Sequence, residues 1–310
     1  MIKMNTTTIN KIKWTAFAAC LTIFLVLSNG SSMAQDSTKR VEPNPTTVKK
    51  VKPVKNTFAN IWIIDNQTVM VPIKGTFQMD IMHRFGTVKN GYQDFWGFFA
   101  PSNIRLGFDY VPITNLMVGI SITKANMTWE GYAKYAIIKQ TVGKYPVSVT
   151  YFGDAAIDSR KKDQFVHFSD RLMYFNQLII ARKLSDKVSL QVAPSHTHVN
   201  IVNGYFYEPG KYRGVMKHDH IAVSVAARYK LKEAMNLIAN IDQPITKHHA
   251  SNPAPNISFG LEMTTSAHTF QFFLGNYGAI SPARNNYYNQ NDYKKKEFLI
   301  GFNITRLWNY

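Results

Sequence analysis

The sequence predicts an all-β fold, an antiparallel up-and-down transmembrane β-barrel of about twelve strands with both termini in the periplasm. Three observations point there. The chain opens with an export signal, it then alternates apolar and polar residues in strand-length segments, and the connections between those segments sort into tight turns and long polar loops.

A basic start (Lys3, Lys11, Lys13), an apolar run over residues 14–27 and the small-residue exit Ser31-Ser32-Met33-Ala34 read as a signal peptide, residues 1–34. The run falls short of the roughly 20 apolar residues of a membrane helix, and no later segment reaches that length. Cys20, the single cysteine, lies inside the run and leaves with it, so the exported chain has no disulfide and no Cys-ligated metal. Export also removes nucleic acid from the partners that a formal charge of +17 would suggest. Outer-membrane lipid with its lipopolysaccharide phosphates, or a small anionic solute, are the anionic partners left. Nothing in the sequence speaks to oligomeric state.

Residues 35–56 are polar and rich in Lys and Pro, a composition that cannot bury a core, and are expected to form a disordered periplasmic tether. Residues 57–75 contain Ile61, Trp62, Ile63 and Ile64 in succession, with no period; a plug, a cap and a short pre-barrel segment are all open readings. The barrel itself is expected over residues 76–310.

From residue 76 the period becomes two, the mark of a strand whose faces meet different surroundings. Residues 76–85 set Phe77, Met79 and Ile81 against Gln78, Asp80 and Arg84. Residues 103–111 set Ile104, Leu106, Phe108 and Tyr110 against Arg105, Gly107 and Asp109; residues 116–123 set Val118, Ile120 and Ile122 against Gly119, Ser121 and Thr123. Residues 127–138 oppose Trp129, Ala133, Tyr135 and Ile137 to Glu130, Tyr132 and Lys134, and in 146–153 Val147, Val149 and Tyr151 share a face. Residues 171–183 are strand-like but apolar on both faces, which leaves their orientation open. Residues 188–200 begin with Val188, Leu190 and Val192 against Ser189 and Gln191. Residues 220–231 oppose Ile221, Val223 and Val225 to Ser224, Arg228 and Lys230, and 235–242 oppose Leu237 and Ile241 to Asn236, Asn240 and Asp242. Residues 257–265 oppose Phe259 and Leu261 to Ser258, Gly260 and Glu262, and 268–276 oppose Phe270, Phe272 and Leu274 to Thr269 and Gln271. In the last segment, 298–310, Phe298, Ile300, Phe302, Ile304, Trp308 and Tyr310 share one face, interrupted only by Arg306. It is expected to pair with the first strand and close the sheet.

Tight turns follow the second, sixth, eighth and tenth strands, whereas long loops such as 154–170, 204–219 and 277–296 follow odd-numbered ones. A soluble β-sandwich also alternates, but its loops need not sort by length.

Short blocks add a family likeness: His83-Arg-Phe-Gly86, Ile104-Arg-Leu-Gly-Phe-Asp-Tyr110, Trp129-Glu-Gly-Tyr-Ala-Lys-Tyr135, Gln177-Leu-Ile-Ile-Ala-Arg-Lys183 and Gly301-Phe-Asn-Ile-Thr-Arg306. Spread over residues 57–308, they resemble an uncharacterised family (a domain of unknown function) of outer-membrane β-barrels of Gram-negative Bacteroidota. His198-Val199-Asn200 stands where that family's pattern has His-Arg-Asn. The resemblance implies fold and outer-membrane location, and no established activity.

If the apolar stripes face lipid, Arg105, Asp109, Glu130, Lys134, Arg228, Lys230, Asp242 and Glu262 share one lumen. They would line a polar conduit or solute site, or fill a narrow barrel as ion pairs. Tyr110, Trp129, Tyr135, Trp308 and Tyr310, near strand ends, suit the membrane-interface girdles.

His196 and His198 share a face roughly 7 Å apart and would hold a metal only with a third ligand, such as one from His218-Asp219-His220. No metal or cofactor is therefore expected. His248 and His249, in a loop with Pro244, Pro253 and Pro255, are expected to be solvated. Ser195 beside His196 supplies the residue types of a lipid hydrolase, but neighbours on a strand point to opposite faces. The expected function is a non-enzymatic outer-membrane barrel, a channel or solute-binding conduit preferring anions. The alternatives are a lipid-modifying hydrolase using His196 or His198, and a structural barrel whose tether binds a periplasmic partner.

Overall fold

The computed structural model describes residues 52–309. The leader, most of the tether and Tyr310 lie outside the described residues, and the readings placed on them remain expectations. Twelve antiparallel strands close into one barrel: β1 (Thr76–Thr87), β2 (Asn103–Ile113), β3 (Leu116–Thr123), β4 (Thr128–Ile138), β5 (Ser148–Asp158), β6 (Leu172–Lys183), β7 (Val188–Val199), β8 (Asp219–Lys232), β9 (Met235–Pro244), β10 (Asn256–Thr264), β11 (His268–Gly275) and β12 (Leu299–Asn309). Each pairs with its chain neighbour. β12 returns to β1, opposing Phe302 to His83 and Trp308 to Phe77, so the barrel has no free edge.

Exposure follows the period of two. Ile120 is 57% exposed, Phe259 53% and Phe272 50%, while their neighbours Ser121, Ser258 and Gln271 are buried. An apolar outer wall around a polar inner one inverts the soluble arrangement and is stable against lipid. No helix among the described residues is long and apolar enough to cross a membrane; the strands do so.

Both described chain ends and most tight connections lie at one mouth, the turn end, and most long connections at the other, the loop end; the short link 124–127 at the loop end and the longer link 139–147 at the turn end are exceptions. Two of the long loops carry structure that the sequence did not announce. One holds a hairpin, Gly204–Glu208 with Lys211–Gly214. The other holds helix α1 (Pro282–Tyr288), started by a proline in its first turn, with Ala283, Asn285, Asn286 and Tyr287 buried. It packs on β6 to β9 and lids the loop end.

β5 extends to Asp158, beyond the expected end at residue 153, because Asp154 and Asp158, which read as loop residues, are buried inward-facing positions of a continuing strand. β6 takes its orientation from the interior: Met173, Phe175 and Ile179 turn inward and join one apolar cluster with Phe58, Ile61, Ile63 and Ile64. Residues 57–72 therefore sit inside the barrel as a plug. A single-residue bridge from Pro53 to Thr141 and a hydrogen bond from Gly75 N to Val111 O bracket the plug, both at the turn end.

Ile120→Arg, on the lipid face of β3, is expected to cost about 2–4 kcal/mol in urea unfolding from lipid vesicles. A soluble barrel would tolerate it.

Candidate functional site

The site is the plugged lumen. The plug's sequence is an apolar run, Ile61 to Ile64, followed by the polar run Asp65-Asn-Gln-Thr68. It folds as a minimal hairpin, Trp62–Ile63 paired with Asn66–Gln67, whose turn puts Ile64 at φ 60°. A β-branched residue resists that left-handed conformation, at a cost of order 1–3 kcal/mol. The barrel wall holds it from both sides: Ile64 N donates to Gln271 Oε1 (3.2 Å) and Ile64 O accepts from Asn303 Nδ2 (2.7 Å).

Most polar groups of the plug meet a wall strand. Trp62 Nε1 donates to Asp80 Oδ2 (2.7 Å), and the guanidinium of Arg105 lies over the Trp62 ring at 4.8 Å. Arg105 is itself held by Glu130, Nε to Oε2 at 3.2 Å, and Ser121 Oγ donates to the same oxygen (2.8 Å). Lys134 Nζ donates to Gln67 Oε1 (2.6 Å). Asn66 Nδ2 donates to Asp242 (2.8 Å), Gln191 Nε2 to Gln67 O (2.8 Å) and Thr150 Oγ1 to Val69 O (3.0 Å). Asn60 Nδ2 donates to Thr305 Oγ1 at 2.9 Å.

At the apex, Asp65 forms an ion pair with Arg84, both fully buried, and accepts from Asn285 Nδ2 of the lid at 3.0 Å. The position of Arg84 follows from a row across four strands. Gly260, Phe273, Gly301 and Arg84 are successive cross-strand neighbours, and a Cβ on either glycine would collide with Phe273. Gly301 thus clears a slot for the Phe273 ring and Gly260 lets its backbone approach, and Arg84 stacks on that ring at 4.4 Å.

Of the residues read from the sequence as lumen lining, Arg105, Asp109, Glu130, Lys134, Asp242 and Glu262 are buried on the inner face. Both carboxylate oxygens of Asp109 lack a hydrogen-bond partner among the described residues. Glu262 accepts from Asn236 (3.0 Å) and Gln271 (2.8 Å). Arg228 and Lys230 lie at the turn end: Arg228 donates to Asn56 O (3.1 Å) and Lys230 pairs with Glu233 (2.7 Å). Sequence reasoning did not single out Asp80, Arg84, Gln191, Gln271 and Asn303. Their signal is the inward stripe itself, polar along its length, on which Asp80, Arg84 and the amides are as informative as the charges that the sequence reading selects. Tyr110, Trp129 and Tyr135 project outward, and Trp308 is half-buried beside Arg306 at 4.8 Å.

The histidines divide. His196 Nε2 and His198 Nδ1 both meet Asp219 Oδ1, at 2.9 and 2.8 Å, on the outer face, while Ser195 is buried on the inner face and donates to Ala222 O (3.3 Å). Ser195 and His196 are therefore not brought together. His249 is exposed, but His248 is buried, a correction to the solvated reading. His248 Nδ1 accepts from Lys217 N (2.9 Å), and its Nε2 lies 2.9 Å from His220 Nδ1. Burial, with Lys217 and His249 nearby, holds His248 below the ordinary imidazole range.

Fold and lumen together define a membrane-spanning β-barrel closed by its own N-terminal segment. The chain belongs to the family described as membrane bound beta barrel domain (DUF5777), which matches residues 58–308. No curated relative matches by sequence. Among solved structures the barrel is similar to the NanC porin (TM-score 0.47, 10% identity, covering 76% of this chain and 99% of that one). It is also similar to the COG4313 outer membrane channel from Pseudomonas putida F1 (0.45, 12%, 77% and 97%) and to the KdgM porin in complex with disordered oligogalacturonate (0.43, 9%, 75% and 99%). No residue role is carried over from these.

Asp65→Ala leaves Arg84 buried without its counter-charge and is expected to cost about 3–5 kcal/mol in urea unfolding from vesicles. The double variant Asp65→Leu/Arg84→Met should recover most of that. A loss under about 1 kcal/mol for the single variant would mean that the pair does not hold the plug.

Proposed function

We propose that this protein is a closed-by-default outer-membrane conduit, a channel-like barrel whose N-terminal segment must withdraw for solute to pass. The topology of the plug carries this reading. Its two ends leave by the same mouth, so it can retract as a loop without unthreading. Around eight strands enclose a space that side chains can fill; twelve enclose more, and here the plug occupies the remainder. Its polar grip on the wall consists of hydrogen bonds and the Asp65–Arg84 ion pair, whose partners water can replace in an open lumen.

Withdrawal also exposes Phe58, Trp62 and several Ile and Val side chains, each worth about 1.5–3 kcal/mol when buried, so the plug does not leave spontaneously. An agent must pull it or replace it. The Lys/Pro-rich tether runs directly into the plug and, with the turn end in the periplasm, is where a periplasmic partner would act.

The preference for anions finds its support at the mouths. Midway along the wall, Arg84, Arg105 and Lys134 are outnumbered by Asp80, Asp109, Glu130, Asp242 and Glu262, so any preference for anions must be set at the mouths. At the turn end a cavity of about 390 Å³ is lined by Lys55, Lys183, Arg228 and Lys230 against Asp186 and Glu233. At the loop end, Arg160, Arg171 and Arg284 face Asp158 and Asp170. In both mouth cavities basic side chains outnumber acidic ones, a balance that favours entry of anions over cations.

In planar bilayers the full-length protein is expected to be nearly silent. A variant with residues 58–71 replaced by a short Gly/Ser bridge should conduct, and in a KCl gradient its reversal potential should favour chloride. Silence of the plug-deleted barrel at every voltage would end the conduit reading; a cation-selective current would end the anion preference alone.

A further inference from the structure

The loop-end mouth, beside the lid helix α1, holds a cavity of about 610 Å³ whose two sides differ in chemistry. One side is apolar, with Met173, Val199, Val215 and Met216. The other gathers Arg160, Arg171 and Arg284 around Asp158. Two of these arginines are committed. Arg160 holds the Asp158 carboxylate with Nε and Nη2, at 2.9 and 2.7 Å, and Arg171 Nη1 donates to the carbonyls of Asp158 (2.8 Å) and Arg160 (2.7 Å) while lying over the Phe165 ring. The Asp170 carboxylate is turned to the backbone N–H of His167 (2.8 Å).

Arg284 is different. Its side chain is 12% exposed, its Nε is buried without a partner, and its Nη2 stands 3.9 Å from Asp158 Oδ2, beyond hydrogen-bond reach. A mostly buried guanidinium with open donors is costly unless something supplies an acceptor. The planar fork of arginine matches a carboxylate, and the volume lies within the usual range for small-molecule sites.

We propose that this vestibule binds an organic carboxylate with an apolar body, its carboxylate on Arg284 and its body against Met173, Val199 and Met216. For its role, as the first station of a solute, the proposal rests on the conduit reading; its chemistry stands apart from it. The site is also joined to the plug: Asn285, next to Arg284 on α1, donates to the apex residue Asp65. A ligand drawn to Arg284 therefore acts on the helix that latches the plug.

The test is calorimetric titration of the full chain in amphipol with 2-naphthoate, with 2-naphthalenemethanol as the uncharged match and acetate as the anion lacking a body. Naphthoate should bind saturably and at least about tenfold tighter than either control. Arg284→Gln should erase the preference for naphthoate over the alcohol, and Arg284→Lys should keep part of it. Equal affinity for acid and alcohol would overturn the site. So would an unchanged preference in Arg284→Gln protein of native β-content by circular dichroism. Naphthoate binding to a protein whose plug-deleted form never conducts would sustain the site and sink the conduit; conduction without the naphthoate preference would do the reverse.

Discussion

Polar groups that lipid excludes from the outer face of a barrel must find partners inside it. In this chain the inner face of the wall is polar along most strands, and the space it encloses is wider than its own side chains fill. The plug answers that constraint. Its backbone carbonyls at Trp62, Ile64, Gln67 and Val69 accept from wall residues Gln271, Asn303, Gln191 and Thr150. The strained turn at Ile64 persists because the wall fixes both of its backbone polar groups.

The same constraint explains the lid. A buried ion pair is stable only when its remaining lone pairs and protons are also satisfied. Asp65 therefore meets both Arg84 from the wall and Asn285 from α1, and Arg84 further donates to Asn303 Oδ1 at 2.9 Å. Plug, wall and lid meet at one carboxylate. While the lumen stays closed, loss of any one partner leaves a buried charge or donor unpaired, which couples the loop-end mouth to the N-terminal segment.

Much of the barrel was legible because its signal is local. Alternation in 103–111 or 298–310 needs only neighbouring residues to be read, and the pairing of the last strand with the first follows from closure. β6 is not legible in orientation, since both its faces are apolar; its inner residues Met173, Phe175 and Ile179 belong to the same buried apolar cluster as the plug residues, where they face side chains and not water. β5 was read short because aspartates at 154 and 158 resemble loop residues until an interior exists for them to face. His248 was read as solvated from its proline-rich loop, and only the fold brings it against His220.

The sequence by itself determined the membrane-barrel class, the strand count and most of the lipid-facing stripes, because each depends on a period of two and on loop length. Tertiary structure alone decided that residues 57–72 fill the lumen, that α1 caps it and that Arg284 is left with open donors. Those contacts join residues far apart in the chain, such as Asn60 with Thr305 and Asp65 with Asn285. No local pattern encodes them: a polar side chain on an inward stripe is compatible with water, ion or plug, and only closure of the barrel around the N-terminal segment selects among the three.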